Sequence, residues 1–249
     1  MTRTSPNFLF RKALNDLPRG TPLTTDNLLA YGLTAKHLSR LAAEGWLQRL
    51  GHGVYLLPGD KLEREAALVT LAKSIPGLHV AGKTALAWRG IRHNIASTQI
   101  ISLWGEKPGK LPSWFTQAFP SHYQTTNIFD AAMPACLGLA PLPGGNRDLP
   151  VSVPERALLE LLSDTGKRQG LEEARQLAES IHAPRMDVMD VLLSHLTRIK
   201  IVRMAYQFAD ELNLPWKDTA LEHCERLGGG KRWVSSTRNG ERLNLKRPS

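Results

Sequence analysis

The sequence predicts an α+β chain, and three observations carry that reading. Residues 21–60, TPLTTDNLLAYGLTAKHLSRLAAEGWLQRLGHGVYLLPGD, place two short capped helices ahead of a glycine-punctuated hairpin, the order of a winged helix-turn-helix. Downstream, helical periodicity is interleaved with short apolar strands such as LHV and TQIISLWG, which predicts a larger mixed α/β region. From residue 154 helices dominate, and the chain closes on a hairpin with Asn239-Gly240 at its turn.

The first helix, NFLFRKALNDL, sets Phe10, Leu14 and Leu17 on one stripe and stops at Pro18. Thr24 or Thr25 caps the next helix and Gly32 ends it; Thr34 caps the third, which Gly45 closes. On that third helix Leu38, Leu41 and Ala42 share a face, while Lys36, Arg40 and Ala43 project from the opposite one. A buried face with a basic outer face suits the major groove, where Lys36, His37 and Arg40 meet phosphates or base edges and Ser39 flanks them. Trp46, Leu47, Val54, Tyr55 and Leu56 supply hairpin strands around Gly51 and Gly53, with Arg49 and His52 near the tip as a wing contact. Thr24, Thr25 and Thr34, at the helix starts, are candidates for fixing the DNA backbone.

Pro58 and Gly59 in LPGDKL break the hairpin strand, so the expected domains are 1–60 and 61–249. After that boundary, EREAALVTLAKSI reads as a helix and KTALAWRGI as another, ended by Gly90. Prolines at 134, 141, 143 and 150 with glycines at 144 and 145 predict a long surface excursion rather than an element. In SVPERALLELL, Ser152 and Glu155 have capping-box spacing and Pro154 stands near the first turn. Further helices are expected over roughly 171–182, 185–196 and 198–212. In the terminal hairpin, alternation sets Leu243 and Leu245 opposite Arg242 and Lys246.

Composition narrows the class. A chain of 249 residues with 42% hydrophobic content buries a core and is not a disordered protein. The net charge is +9, and its placement is uneven: residues 1–60 hold seven Lys/Arg against four Asp/Glu, residues 61–225 hold eighteen of each, and residues 226–249 hold seven against one. Basic ends around a neutral middle suit a nucleic-acid ligand. Cys136 and Cys224 are far apart, so reduced thiols in a cytosol are expected. No apolar run approaches a bilayer span, and MTRTSPNF lacks the apolar region of a signal peptide, so a soluble, cytoplasmic protein without a membrane partner is expected.

Six segments carry a family resemblance: PRGT at 18–21, GWLQRLGHGVYLLPGDK at 45–61, GKTALA at 82–87, LPSWF at 111–115, PERALLELL at 154–162 and GGGKRW at 228–233. In that order, from near the start to near the end, the sequence resembles the AbiEi-type antitoxins of abortive-infection (type IV) toxin-antitoxin systems. The resemblance implies an N-terminal winged helix-turn-helix that binds inverted repeats in the promoter of its own operon. It also implies a C-terminal antitoxin domain that counters a nucleotidyltransferase-like toxin, with which a stable complex need not form. Lys83, Lys231, Arg232 and Arg242 make a second basic set, for phosphate contacts or for toxin control.

Two other readings stay beside this one. An interaction-only antitoxin would use the winged module for protein docking. Alternatively, Gly77, Gly82, Lys83 and Thr84 satisfy the P-loop spacing of a nucleotide-binding protein. A P-loop needs a buried strand running into its first glycine, whereas here Leu78 to Val80 form strand-like sequence inside the supposed loop. The eight histidines lack zincin spacing, and there is no G-x-S-x-G elbow. Catalytic residues, a metal site and a cofactor are therefore not expected.

Overall fold

The computed structural model describes residues 6–92, 100–227, 233–236 and 242–245. Helices and mixed sheets alternate along the chain, so the α+β class holds. Two compact units divide it. The first comprises the chain up to Ser74 together with Gly109–Pro120; the second comprises Ile75–Pro108 and the chain from Ser121 onward. The sequence boundary at residue 60 falls inside the first unit, because the helix Arg64–Ser74 and a later segment both belong to it.

In the first unit the order is α1 (Pro6–Ala13), β1 (Leu23–Thr24), α2 (Thr25–Leu29), α3 (Ala35–Ala43), β2 (Gln48–Gly51), β3 (Val54–Leu56), α4 (Arg64–Ser74) and α6 (Ser113–Ala118). The strands form an antiparallel sheet ordered β1-β3-β2, and the register shifts between Arg49 and Gly51, a bulge that bends β2. Phe10, Leu28, Leu33, Leu38, Leu41, Leu47 and Tyr55 close the core beneath it, joined by Leu17 from beyond the end of α1. Leu14, expected on the same stripe, is only partly buried against this core. Gly32 and Gly45 take left-handed φ values of 77° and 80° after their helices, where a side chain would be strained.

The second unit contains α5 (Gly82–Trp88) and a five-stranded mixed sheet of β4 (His79–Val80), β5 (Ile101–Trp104), β6 (Ser121–Gln124), β7 (Leu139–Ala140) and β8 (Val151–Ser152), ordered β6-β5-β4-β8-β7. Neighbours β4/β8 and β5/β6 run parallel, and the other two pairs run antiparallel. Helix α7 (Pro154–Asp164) is the central helix; Glu155 to Ser163 are all buried, charged side chains included. Around it come α8 (Leu171–Glu179), α9 (Met186–Ser194) and α10 (Ile199–Leu212), near their expected bounds. Strands β9 (Trp233–Ser236) and β10 (Arg242–Leu245) pair antiparallel as expected; the Asn239-Gly240 turn lies outside the described residues.

Three local expectations are corrected. The excursion over 134–150 contains β7, which pairs with β8 through Leu139↔Ser152 and Ala140↔Val151. The Ser152/Glu155 capping box is not formed: Val153 is the N-cap, the Ser152 hydroxyl donates to Glu160 at 2.8 Å, and Glu155 accepts from Arg185. An additional helix, α11 (Lys217–Arg226), follows α10, and the buried Trp216 preceding it donates its indole N–H to the Ala205 carbonyl at 3.2 Å.

Candidate nucleic-acid interface

The outward face of α3 is fixed by a reciprocal cap. Thr34 Oγ1 accepts from the His37 backbone N–H, and His37 Nδ1 accepts from the Thr34 N–H, both at 3.4 Å. With Nδ1 an acceptor, the neutral ring's proton sits on Nε2, which makes that nitrogen a donor. Helix α2 repeats the arrangement: Thr24 Oγ1 accepts from Asn27 N–H and Asn27 Oδ1 accepts from Thr24 N–H, both at 3.2 Å. Thr25 donates to the Gly53 carbonyl through its N–H at 2.9 Å and its hydroxyl at 3.3 Å, tying the hairpin turn to the start of α2. Thr24, Thr25 and Thr34 thus use their polar groups within the unit to set where the helices and hairpin stand.

On α3, Leu38 and Leu41 are completely buried, while Lys36, Ser39 and Arg40 are exposed and His37 is partly so. Arg40 Nε donates to Glu44 Oε1 at 2.6 Å, and the Arg40 side chain is 61% exposed. An exposed i,i+4 pair of this kind contributes about 0.3–0.5 kcal/mol, little enough for Arg40 to exchange its partner for a phosphate. On the hairpin, Arg49 is exposed, with Nε 3.4 Å from the Gly51 carbonyl, and His52 is exposed at the turn. Gly53 beside it has φ 67°. Trp46, expected as strand material, instead precedes β2, 39% exposed, with the Arg11 guanidinium 5.8 Å from its ring centroid.

What holds the hairpin was not read from the sequence. Trp114, at the start of α6, lies against Gly51 so closely that a Cβ there would stand 2.9 Å from Trp114 Cδ1. Trp114 meets Phe115 edge-on at 5.9 Å, and Phe115 is completely buried. The segment LPSWF carries this role, and no local pattern in the sequence announces it. PRGT and GDK are also joined: Asp60 accepts from the Gly20 N–H at 2.8 Å and pairs with Arg19, and the Gly20 carbonyl accepts from Glu63 N–H at 2.8 Å.

In the second unit, Lys83 pairs with Glu173. Arg242 opens β10 opposite Ser236, and Lys231 and Arg232 lie outside the described residues. The P-loop spacing has another explanation. Strand β4 occupies the middle of the supposed loop, and the Gly82 N–H donates to Glu160 Oε2 at 3.0 Å. Glu160, fully buried, also accepts from Ser152, from Arg156 Nε at 2.8 Å and from His79 Nε2 at 3.0 Å. Burial alone would push this carboxyl up, but His79, Arg156 and the Gly82 amide hold it down at about 2. Among the described residues there is no grouping of three or more His, Cys, Asp or Glu that would hold a metal, and no helix is long and apolar enough to cross a membrane.

Residues 7–97 match a family described as "Transcriptional regulator, AbiEi antitoxin N-terminal domain", and residues 98–246 match "Transcriptional regulator, AbiEi antitoxin, Type IV TA system". Among solved structures the chain is similar to the RV2827C protein from Mycobacterium tuberculosis, with a TM-score of 0.58 and 15% identity over 88% of this chain and 80% of that one. At that identity the likeness is one of fold. No curated protein matches the sequence. The two family matches together span nearly all of the chain, which belongs to the AbiEi antitoxin transcriptional regulators of type IV toxin-antitoxin systems.

Proposed function

We propose that this regulator binds duplex DNA through its first unit, represses its own operon at promoter inverted repeats, and counters a nucleotidyltransferase-like toxin encoded beside it. The observation that carries the DNA-binding part is the α3 surface: Lys36, Ser39 and Arg40 exposed above Leu38 and Leu41, on a helix capped at both ends and followed by a hairpin bearing Arg49 and His52. Lys36, Arg40 and the Nε2 donor of His37 enter the major groove, and Arg49 and His52 make the wing contact. Thr24, Thr25 and Thr34 act by positioning, since their polar groups are already engaged. One such module makes few contacts, so two copies on an inverted repeat supply the affinity.

The test is a gel shift on DNA from upstream of the gene, with scrambled competitor and a Lys36→Ala/Arg40→Ala variant. Specific retardation lost in the variant supports the reading; no specific retardation by the wild type removes operator binding at that promoter and leaves an interaction-only antitoxin. Toxin control is tested separately, by co-expressing the adjacent toxin with the same variant. Rescue by a DNA-binding-deficient protein would place antitoxicity outside the recognition helix.

A further inference from the structure

The second unit holds a partly open cavity of about 440 Å³ lined from α5, β5, β6, α7 and α8, within the size range of small-molecule sites. Its apolar lining includes Ile91, Trp104, Leu161 and Leu177. Three carboxylates also line it, and each of their oxygens already accepts a hydrogen bond. Glu160 has the four donors described above. Asp164 accepts from Arg168 at 3.3 Å and from Gln124 at 3.0 Å. Glu173 accepts from Lys83 and, at 2.8 Å, from Gln169. The Thr84 hydroxyl is engaged too, donating to the Ile100 carbonyl and accepting from the Ser102 N–H.

The remaining capacity is on the donor side. Among the described residues His122 Nε2 is buried without a hydrogen-bond partner, and it donates when the ring is protonated or carries its proton there. Arg168 donates, among the described residues, through Nη1, toward Gln124 and Asp164, and Arg92 through Nε, toward the Ala87 carbonyl at 2.8 Å. Lys83 has, among the described residues, one carboxylate for its three N–H groups. With the Glu160 charge matched by Arg156, which does not line the cavity, Lys83, Arg92 and Arg168 stand against Asp164 and Glu173, an excess of one positive charge. Such walls favour a ligand that brings acceptors and negative charge to the donors and an apolar body to the floor.

We propose that this cavity binds an amphipathic organic anion, a carboxylate or a phosphate monoester, whose acidic group is held by Lys83, Arg92, Arg168 and His122 and whose body lies on Leu161 and Leu177. Binding draws on side chains from several elements and leaves the Gly82 amide with Glu160, so it requires no P-loop and no divalent cation. It is also independent of DNA binding by the first unit. Burial holds the His122 pKa below its ordinary value and Arg168 lowers it further, outweighing Asp164 and Gln124. An anion in the cavity opposes both effects.

The experiment is calorimetric titration of the full-length protein with a matched series: 2-naphthyl phosphate, 2-naphthoate and neutral 2-naphthol. Both anions are expected to bind one-to-one, with the neutral analogue roughly tenfold weaker, the scale of a hydrogen bond to a charged group. The tighter of the two anions identifies the acid group. Lys83→Gln/Arg92→Gln removes most of the preference for the anions, and a His122→Phe variant weakens both. In the wild type the His122 ring resonances shift on binding and its pKa rises. Absence of saturable binding by either anion overturns the proposal, as does naphthol binding equally tightly or an unchanged anion preference in a double variant that keeps its thermal midpoint.

Discussion

Glu160 Oε2 accepts the Gly82 backbone N–H at 3.0 Å, so α7 and α5 are joined through a carboxylate with no solvent exposure. Removing it leaves Arg156, His79 and the Gly82 amide without their common partner. Glu160→Ala is expected to cost on the order of 3–5 kcal/mol, the range for breaking a buried ion pair. For a chain of this length that lowers the thermal midpoint by roughly 10 °C, readable by calorimetry.

The same carboxyl sets an acid limit. Its folded pKa of about 2 lies below the ordinary 4.5, so its contribution is fully present above 4.5 and is lost as pH falls through the folded value. The contribution is on the order of 3 kcal/mol. Urea midpoints taken from pH 6 down toward pH 2 should therefore fall, and Glu160→Gln should flatten that fall.

Gly51→Ala places a methyl group into Trp114. Overpacking of this kind costs about 1–3 kcal/mol, and here it also displaces the strand that carries Arg49. The variant should melt at lower temperature and bind operator DNA more weakly. Gly109→Ala, which meets nothing within 4 Å, is the control and should leave both unchanged.

Charge on α3 separates the two regulator readings. If Lys36 meets phosphate, Lys36→Ala reduces the slope of log affinity against log salt by about one. Glu44→Gln removes the carboxylate that pairs with Arg40, and should tighten DNA binding, most visibly at low salt. A protein that used this face only for docking would show neither change in DNA titrations.

The two cysteines should differ in reactivity. Cys136 is exposed, whereas Cys224 lies buried in α11, where burial pushes its thiol up to about 11. Ellman's reagent should modify one thiol rapidly in the native protein and the second only on unfolding; two fast thiols would show that α11 opens readily.

Legibility followed the range of the interactions. The caps at Thr24 and Thr34 and the glycines at 32 and 45 were readable because each depends on residues within one turn. Ser152 misled for the opposite reason: its spacing to Glu155 is that of a cap, yet a carboxylate two turns along α7 takes its hydroxyl. The Gly82–Glu160 bond joins positions 78 residues apart, and no local pattern announces it. Helix α11 escaped because its few buried positions include His223 and Cys224 rather than an aliphatic stripe. The salient charges on α3 were found, but the tryptophan behind the hairpin came from sequence more than sixty residues away.

That tryptophan gives the first unit a schedule. A ribosome that has emitted the recognition helix and the hairpin has not yet made α6, which supports Gly51 from residues 113–118. The hairpin therefore gains its backing only after a stretch of the other unit, Ile75–Pro108, has already emerged. Truncations ending at residue 60 or 74 would expose the hairpin's packing surface. An expression fragment meant to isolate the DNA-binding half has to carry α6 along, by a linker that replaces the intervening chain.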